Sequence, residues 1–230
     1  MKLIICLSFC IIFFTVSSAI AQPQPIISTF KDYTASIKIN DKNEMINLQK
    51  IIPNIIFDLK YNSANNFTKR KLYKFAKTTY LRKDPAAALL LVQEILKKMG
   101  LGLKIFDAYR PYAVTKLMWD IVHDERYVAN PKNGSGHNRG VAVDLTLVNL
   151  STGKELNMGT AFDNFTDTAH HTFTKNLSPE IIANRTLLKS TMEKFCFKSL
   201  ETEWWHYSWK SNEIYDVMDI NFKKLIKKIR

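Results

Sequence analysis

Short apolar runs and polar interruptions alternate along this chain from about residue 51. Residues 55–61 (IIFDLKY) follow Pro53 and predict a strand, with a polar loop over 62–70. Asp84-Pro85 predicts a helix start, with a capping carboxylate and proline in the first turn. Leu89, Leu90, Val92, Ile95 and Leu96 supply its apolar positions, and Gly100 supplies the stop. Residues 103–106 predict a strand that leads into Asp107-Ala108-Tyr109-Arg110-Pro111, followed by a helix over 112–123. Residues 141–147 alternate most cleanly: Val141, Val143, Leu145 and Leu147 fall on one face, and Ala142, Asp144 and Thr146 on the other. Ser178-Pro179-Glu180 starts a long helix running to about Lys198, and 204–209 predict a strand or strand-turn. The lysine-rich end, with Leu225, Ile226 and Ile229, predicts a helix packed on the rest of the chain rather than one lying on a membrane. Residues 22–46 are largely polar and predict a loose N-terminal arm. Few strands mixed with several helices, without strict alternation, predict an α+β fold.

The N-terminus has its own logic. Lys2 precedes an apolar run over residues 3–16, and Ala19-Ile20-Ala21 forms a small-x-small cleavage signal before Gln22. The run is short for a membrane span. It predicts a cleaved export signal over 1–21, a single domain over 22–230 and a periplasmic or secreted location, with no stable membrane insertion after cleavage. Cys6 and Cys10 leave with the signal, so Cys196 has no internal partner; it follows Phe195 in a helical pattern and predicts a small buried hydrophobe. Thirty-three Lys and Arg against 21 Asp and Glu give a net charge of +12. The lysines are scattered and no basic-aromatic module accompanies them, which argues for a solvated surface and against a nucleic-acid interface.

Two distant segments carry the chemistry. Ser135-Gly136-His137-Asn138-Arg139-Gly140 leads into Asp144, and Glu203-Trp204-Trp205-His206 lies some sixty residues later. Two imidazoles and one carboxylate make a three-ligand site for a catalytic zinc, and a spare carboxylate stands beside the last imidazole to take a proton from water. Asp144 in an apolar strand is costly unless paired or metal-bound. His137 lies an odd number of residues from Asp144, so a straight strand would oppose them; Gly136 and Gly140 offer the turn that swings His137 round. Glu203 and His206, three apart, need a bend or bulge at Trp204-Trp205 to share a side. An aromatic stack around His206 is the duller alternative. Arg110 stands where it could reach an oxyanion or pair with Asp107. His123, at a helix end, suits the helix dipole. His170-His171 is the rival source of a ligand and is left out of the set.

At these residues the chain resembles the zinc D-alanyl-D-alanine dipeptidases, within the D-Ala-D-Ala metallopeptidase and hedgehog-like group. The pattern S-x-H-x-x-G-x-A-x-D followed by E-x-x-H is matched by Ser135, His137, Gly140, Ala142, Asp144, Glu203 and His206. Residues 58–61 with 65–67, 106–111 and 158–163 are similar to the dipeptidase branch, and the likeness runs over about 47–210. It implies an α+β fold with a small antiparallel sheet and one zinc in a restricted cleft. His137, Asp144 and His206 would hold the metal, Glu203 would act as the base, and Arg110 would assist the transition state. Asp163 and Tyr61 would hold the free amino end of a small D-configured dipeptide, with Ser135 near the substrate. A peptidoglycan D,D- or L,D-carboxypeptidase and a non-catalytic zinc-bearing envelope-binding protein are the alternatives. Members of that family commonly lack a signal, so export points to turnover of wall-derived D-Ala-D-Ala rather than to resistance.

Overall fold

The computed structural model describes residues 25–228; the predicted export signal lies outside them. Where a loose arm is expected, the chain is folded. Strand β1 (Ile26–Ile27) leads into helix α1 (Phe30–Ile39), whose N-cap Thr29 accepts the Asp32 N–H. Phe30, Tyr33 and Ile37 recur at helical spacing, and Tyr33 is buried with its hydroxyl accepting the N–H of Met45 at 2.8 Å. That apolar spacing and the Thr29-x-x-Asp32 start outweigh the segment's polar composition. Strand β2 (Met45–Asn47) continues into helix α2 (Leu48–Ile51).

The central sheet takes β3 (Ile56–Phe57), β5 (Leu101–Asp107), β6 (Ala142–Asn149), β7 (Phe197–Leu200) and β8 (Glu203–Trp209) in the order β3-β5-β6-β8-β7. Three pairings are antiparallel and β3–β5 is parallel, so the sheet is mixed where an antiparallel one is expected. Outside it, β4 (Tyr80–Arg82) pairs with β2, and β9 (Val217–Met218) pairs with β1.

Helix α3 (Lys83–Lys97) lies on β5 and buries Leu89, Val92 and Leu96 along one stripe. It begins one residue ahead of Asp84, which sits in the first turn rather than at the cap. Gln93 Oε1 accepts the Leu103 N–H at 2.9 Å and ties helix to strand. Helix α4 (Tyr112–Trp119) stops four residues short of His123, whose ring rests on Trp119 at 5.5 Å instead of capping a helix end. Helix α6 (Pro179–Lys194) starts on the Ser178 cap as expected and buries Leu188 and Met192, but ends before Lys198 because the chain turns at Cys196, φ 64°, into β7. Cys196 is exposed, against the expected burial: its left-handed backbone places it on the turn rather than on the helix face. Helix α7 (Phe222–Lys228) packs on its own chain, as expected, through buried Phe222 and Leu225. No helix among the described residues is long and apolar enough to cross a membrane.

Candidate metallopeptidase site

Cross-strand register assembles the site. Asp144 on β6 stands directly opposite His206 on β8, and Asp107 on β5 pairs with Asp144 on its other side. Directly opposed residues of an antiparallel pair project to the same face, so three polar side chains form a row across three strands. A bulge in β5 between Ile105 and Asp107 brings Asp107 into that row. The register of β7 and β8 also shifts: Leu200 meets Glu203 while Ser199 meets Tyr207, which leaves residues 204–206 as extra chain. This is the expected bend, and it lets Glu203 and His206 line the same cavity.

His137 comes from a single turn, α5 (Gly136–Arg139). Ser135 caps it, accepting the Asn138 N–H at 3.1 Å while its own N–H donates to Asn138 Oδ1 at 3.0 Å. Gly140 closes the turn at φ 71°, where a Cβ would also meet Met45 Sδ at 2.8 Å. The expected swing of His137 toward Asp144 is therefore a capped helical turn. His137 Nδ1 lies 2.7 Å from the Ala108 carbonyl. A carbonyl accepts only, so Nδ1 carries the hydrogen and Nε2 keeps its lone pair.

That lone pair faces the other donors. His137 Nε2 is 3.2 Å from His206 Nδ1 and 3.4 Å from Asp144 Oδ2, and His206 Nδ1 is 2.8 Å from Asp144 Oδ1. One nitrogen or oxygen from each residue falls within 4.8 Å of the others. His206 Nε2 is 3.1 Å from Ser208 Oγ, which orients the ring from behind. Burial pushes the His206 imidazole toward its neutral form, against the pull of Asp144. Two inward nitrogens, each with its outer nitrogen hydrogen-bonded, plus one carboxylate fit a divalent transition metal.

Buried Glu203 has its pKa pushed well up, first by burial and then by the charges of Asp144 and Asp163, with the Arg110 charge and a Trp205 hydrogen bond opposing. Of the two readings of Arg110, the structure shows the pairing with Asp107. Its Nε and Nη2 hold Asp107 Oδ2 at 2.9 and 2.8 Å, and Nη2 also lies 3.9 Å from Asp144 Oδ2. The guanidinium stands over the Tyr61 ring at 5.2 Å. The Tyr61 hydroxyl is 3.2 Å from both Asp163 oxygens, and Asp163 is held at φ 59°. Burial, followed by the Asp144 charge, raises Asp163 well above the usual carboxylate range. One cavity of about 250 Å³ is lined by all eight residues named from the sequence: Tyr61, Arg110, Ser135, His137, Asp144, Asp163, Glu203 and His206. Ser135 both lines it and caps α5.

The supports behind these residues are not legible in the motif. Asp107 is fully buried and also accepts from the Tyr73 hydroxyl at 2.5 Å and the Ala108 N–H at 2.9 Å. Asn138 Nδ2 donates to the Arg110 carbonyl and to Thr115 Oγ1. The one available signal was Asp107 three residues before Arg110.

His171 stays out of the donor set, against Tyr207 with ring centres 6.1 Å apart. Burial, followed by the Lys189 charge, lowers its pKa to about 4. The folded state resists protonation, so its stability contribution is complete above the unfolded value near 6.5 and is lost as pH falls toward 4. Between pH 6.5 and 5 the loss should be about 1–2 kcal/mol. Thermal melts of wild type and His171→Gln at both pH values should show the smaller pH dependence in the variant; equal slopes would remove His171 as the cause.

Three donors lining one cavity, with a buried carboxylate that lines it too, are the equipment of a metallopeptidase. Residues 41–225 match a family described as D-ala-D-ala dipeptidase. A D-alanyl-D-alanine dipeptidase of Escherichia coli K12 is 34% identical over 82% of this chain and 96% of its own length. One from Enterococcus faecalis is 31% identical over 72% of this chain and 91% of its own. The chain belongs to the D-ala-D-ala dipeptidase family of peptidases. Among solved structures, that of the LdcB LD-carboxypeptidase aligns with 72% of this chain and 67% of its own at 21% identity and a TM-score of 0.42.

Proposed function

We propose that this chain hydrolyses D-alanyl-D-alanine to two D-alanines, with one zinc ion held by His137, Asp144 and His206. The observation that carries this reading is the convergence of those three donors within 4.8 Å in a cavity that Glu203, Arg110, Tyr61 and Asp163 also line. The family's relatives named for that dipeptide support the substrate. The cavity, about 250 Å³, lies below the roughly 300–1,000 Å³ usual for drug-sized ligands, as a small substrate requires.

His137, Asp144 and His206 would hold a zinc ion, which when bound would supply Lewis acidity and lower the pKa of water toward ~7. Glu203, buried in the cavity beside the three donors, accepts the proton of the attacking water and returns it to the leaving amine. Arg110, fixed by Asp107, presents positive charge to the oxygen that becomes anionic. Asp163, steadied by Tyr61, pairs with the substrate's free ammonium. A longer peptide would place an amide against that carboxylate, which gives the dipeptide its advantage. The N-terminal pattern supports an exported enzyme acting on wall-derived dipeptide.

The test is D-alanine release from the zinc-loaded protein. D-Ala-D-Ala should be cleaved, while N-acetyl-D-Ala-D-Ala and a stem pentapeptide should be poor substrates. Asp163→Asn should weaken kcat/KM for the free dipeptide by about 10–100-fold, the worth of a charged hydrogen bond. Equal cleavage of the acetylated and free dipeptides would refute the Asp163 role. Preference for the pentapeptide would make the chain a carboxypeptidase, and inertness toward every substrate would make it a binder.

A further inference from the structure

We propose that the face formed by residues 69–77 and α7 docks this chain on anionic phospholipid bilayers. The sequence 69–77 (KRKLYKFAK) carries five basic residues, and no acid occurs anywhere between Asp58 and Asp84. Helix α7 carries four lysines, and no acid follows Asp219. Scattered in sequence, the two stretches are neighbours in the fold. Tyr73 from the first packs on Phe222 from the second at 4.9 Å, and Lys223 Nζ lies over the Phe75 ring at 5.3 Å. Tyr73, Phe222 and Leu225 are buried and anchor both segments. All nine basic side chains are exposed, and among the described residues none of them enters a salt bridge.

A solvated lysine face would need nothing more than charge. Beside Lys223 this one also presents Phe75, 60% exposed, and α7 itself leaves Ile226 37% exposed. Phe75 sits at φ 65°, a left-handed conformation that glycine adopts at little cost and a bulky residue does not. The fold thus holds an aromatic side chain outward among cations at a position better suited to glycine. Cations at headgroup depth with apolar side chains reaching the acyl boundary are how peripheral proteins lie on anionic membranes. The exposed apolar groups are what favour a bilayer over a soluble polyanion. None of the nine basic residues lines the cavity around His137, Asp144 and His206, so docking and hydrolysis can be tested separately.

The experiment uses the chain from Gln22 to Arg230, which contains every described element and omits the apolar run at 3–16 that would partition by itself. It should co-sediment with phosphatidylcholine vesicles containing phosphatidylglycerol and not with phosphatidylcholine alone, and high salt should release it. Each lysine near such a surface contributes on the order of fivefold, so reversing all four α7 lysines to Glu should cut binding by at least about tenfold with D-Ala-D-Ala hydrolysis unchanged. Phe75→Gly should also weaken vesicle binding without lowering the melting temperature, which separates insertion from a folding defect. Equal binding to neutral vesicles, or binding indifferent to both variants, would overturn the proposal. Binding to heparin or DNA without vesicle binding would also overturn it and assign the face to a soluble polyanion.

Discussion

Glu203→Ala should retain one zinc per chain and lose about 10²–10⁴-fold in kcat on D-Ala-D-Ala, the range for removal of a positioned acid-base group. The expected separation of binding from turnover follows from geometry. The donors that approach one another within 4.8 Å belong to His137, Asp144 and His206, and Glu203 is not among them. Its side chain is buried in the same cavity, three residues along β8 from His206. On the proposed role of Glu203, first as base and then as acid, its loss should lower kcat far more than it raises KM. His206→Ala is the contrasting variant: it removes a donor, so metal content and turnover should fall together. Atomic absorption on dialysed protein alongside D-alanine release distinguishes the two. If Glu203→Ala loses its zinc, Glu203 is a ligand; if it turns over normally, another group carries the proton.

His137, Asp144, Glu203 and His206 were legible because their types and spacing are chemically costly elsewhere, whereas Tyr61, Asp163 and Ser135 followed from the family resemblance alone. A carboxylate at position 144 of an apolar strand and two glycines around His137 both require a reason. What could not be read was the means of convergence. Opposition of Asp144 and His206 depends on the register between strands sixty residues apart, which no local pattern encodes. The bend at 204–206 was legible, because Glu203 and His206 could not otherwise share a side. Residues 22–46 misled because their polar composition hides a single stripe of Phe30, Tyr33 and Ile37. Cys196 misled for the opposite reason: a helical pattern continued past the point where the backbone turns left-handed. The end of α7 read correctly as packing on its own chain, yet its outward lysines gain meaning only beside residues 69–77, a juxtaposition made by Tyr73 and Phe222.

Asp107→Ala should be the most destabilising single change near the site. Asp107 is wholly buried and accepts hydrogen bonds from Tyr73, Ala108 and Arg110, and its deletion strands a guanidinium that is itself only 7% exposed. Removing one partner of a buried ion pair costs about 3–5 kcal/mol, because the remaining charge keeps its desolvation penalty without its compensation. In a chain of this size that is a fall of roughly 10 °C in melting temperature. The effect should reach catalysis by two routes. Arg110 loses the partner that aims it, and the Ala108 carbonyl that fixes the His137 ring loses the hydrogen bond on its own residue's N–H. Asp107→Ala combined with Arg110→Met separates these contributions. With both charges gone, no uncompensated ion remains, so much of the lost stability should return while turnover stays low. A single variant melting within a degree of wild type would show that Arg110 finds another counter-ion, with Asp144, 3.9 Å away, as the candidate. A double variant as unstable as the single would place the cost in the severed hydrogen bonds to Tyr73 and Ala108 rather than in the stranded charge.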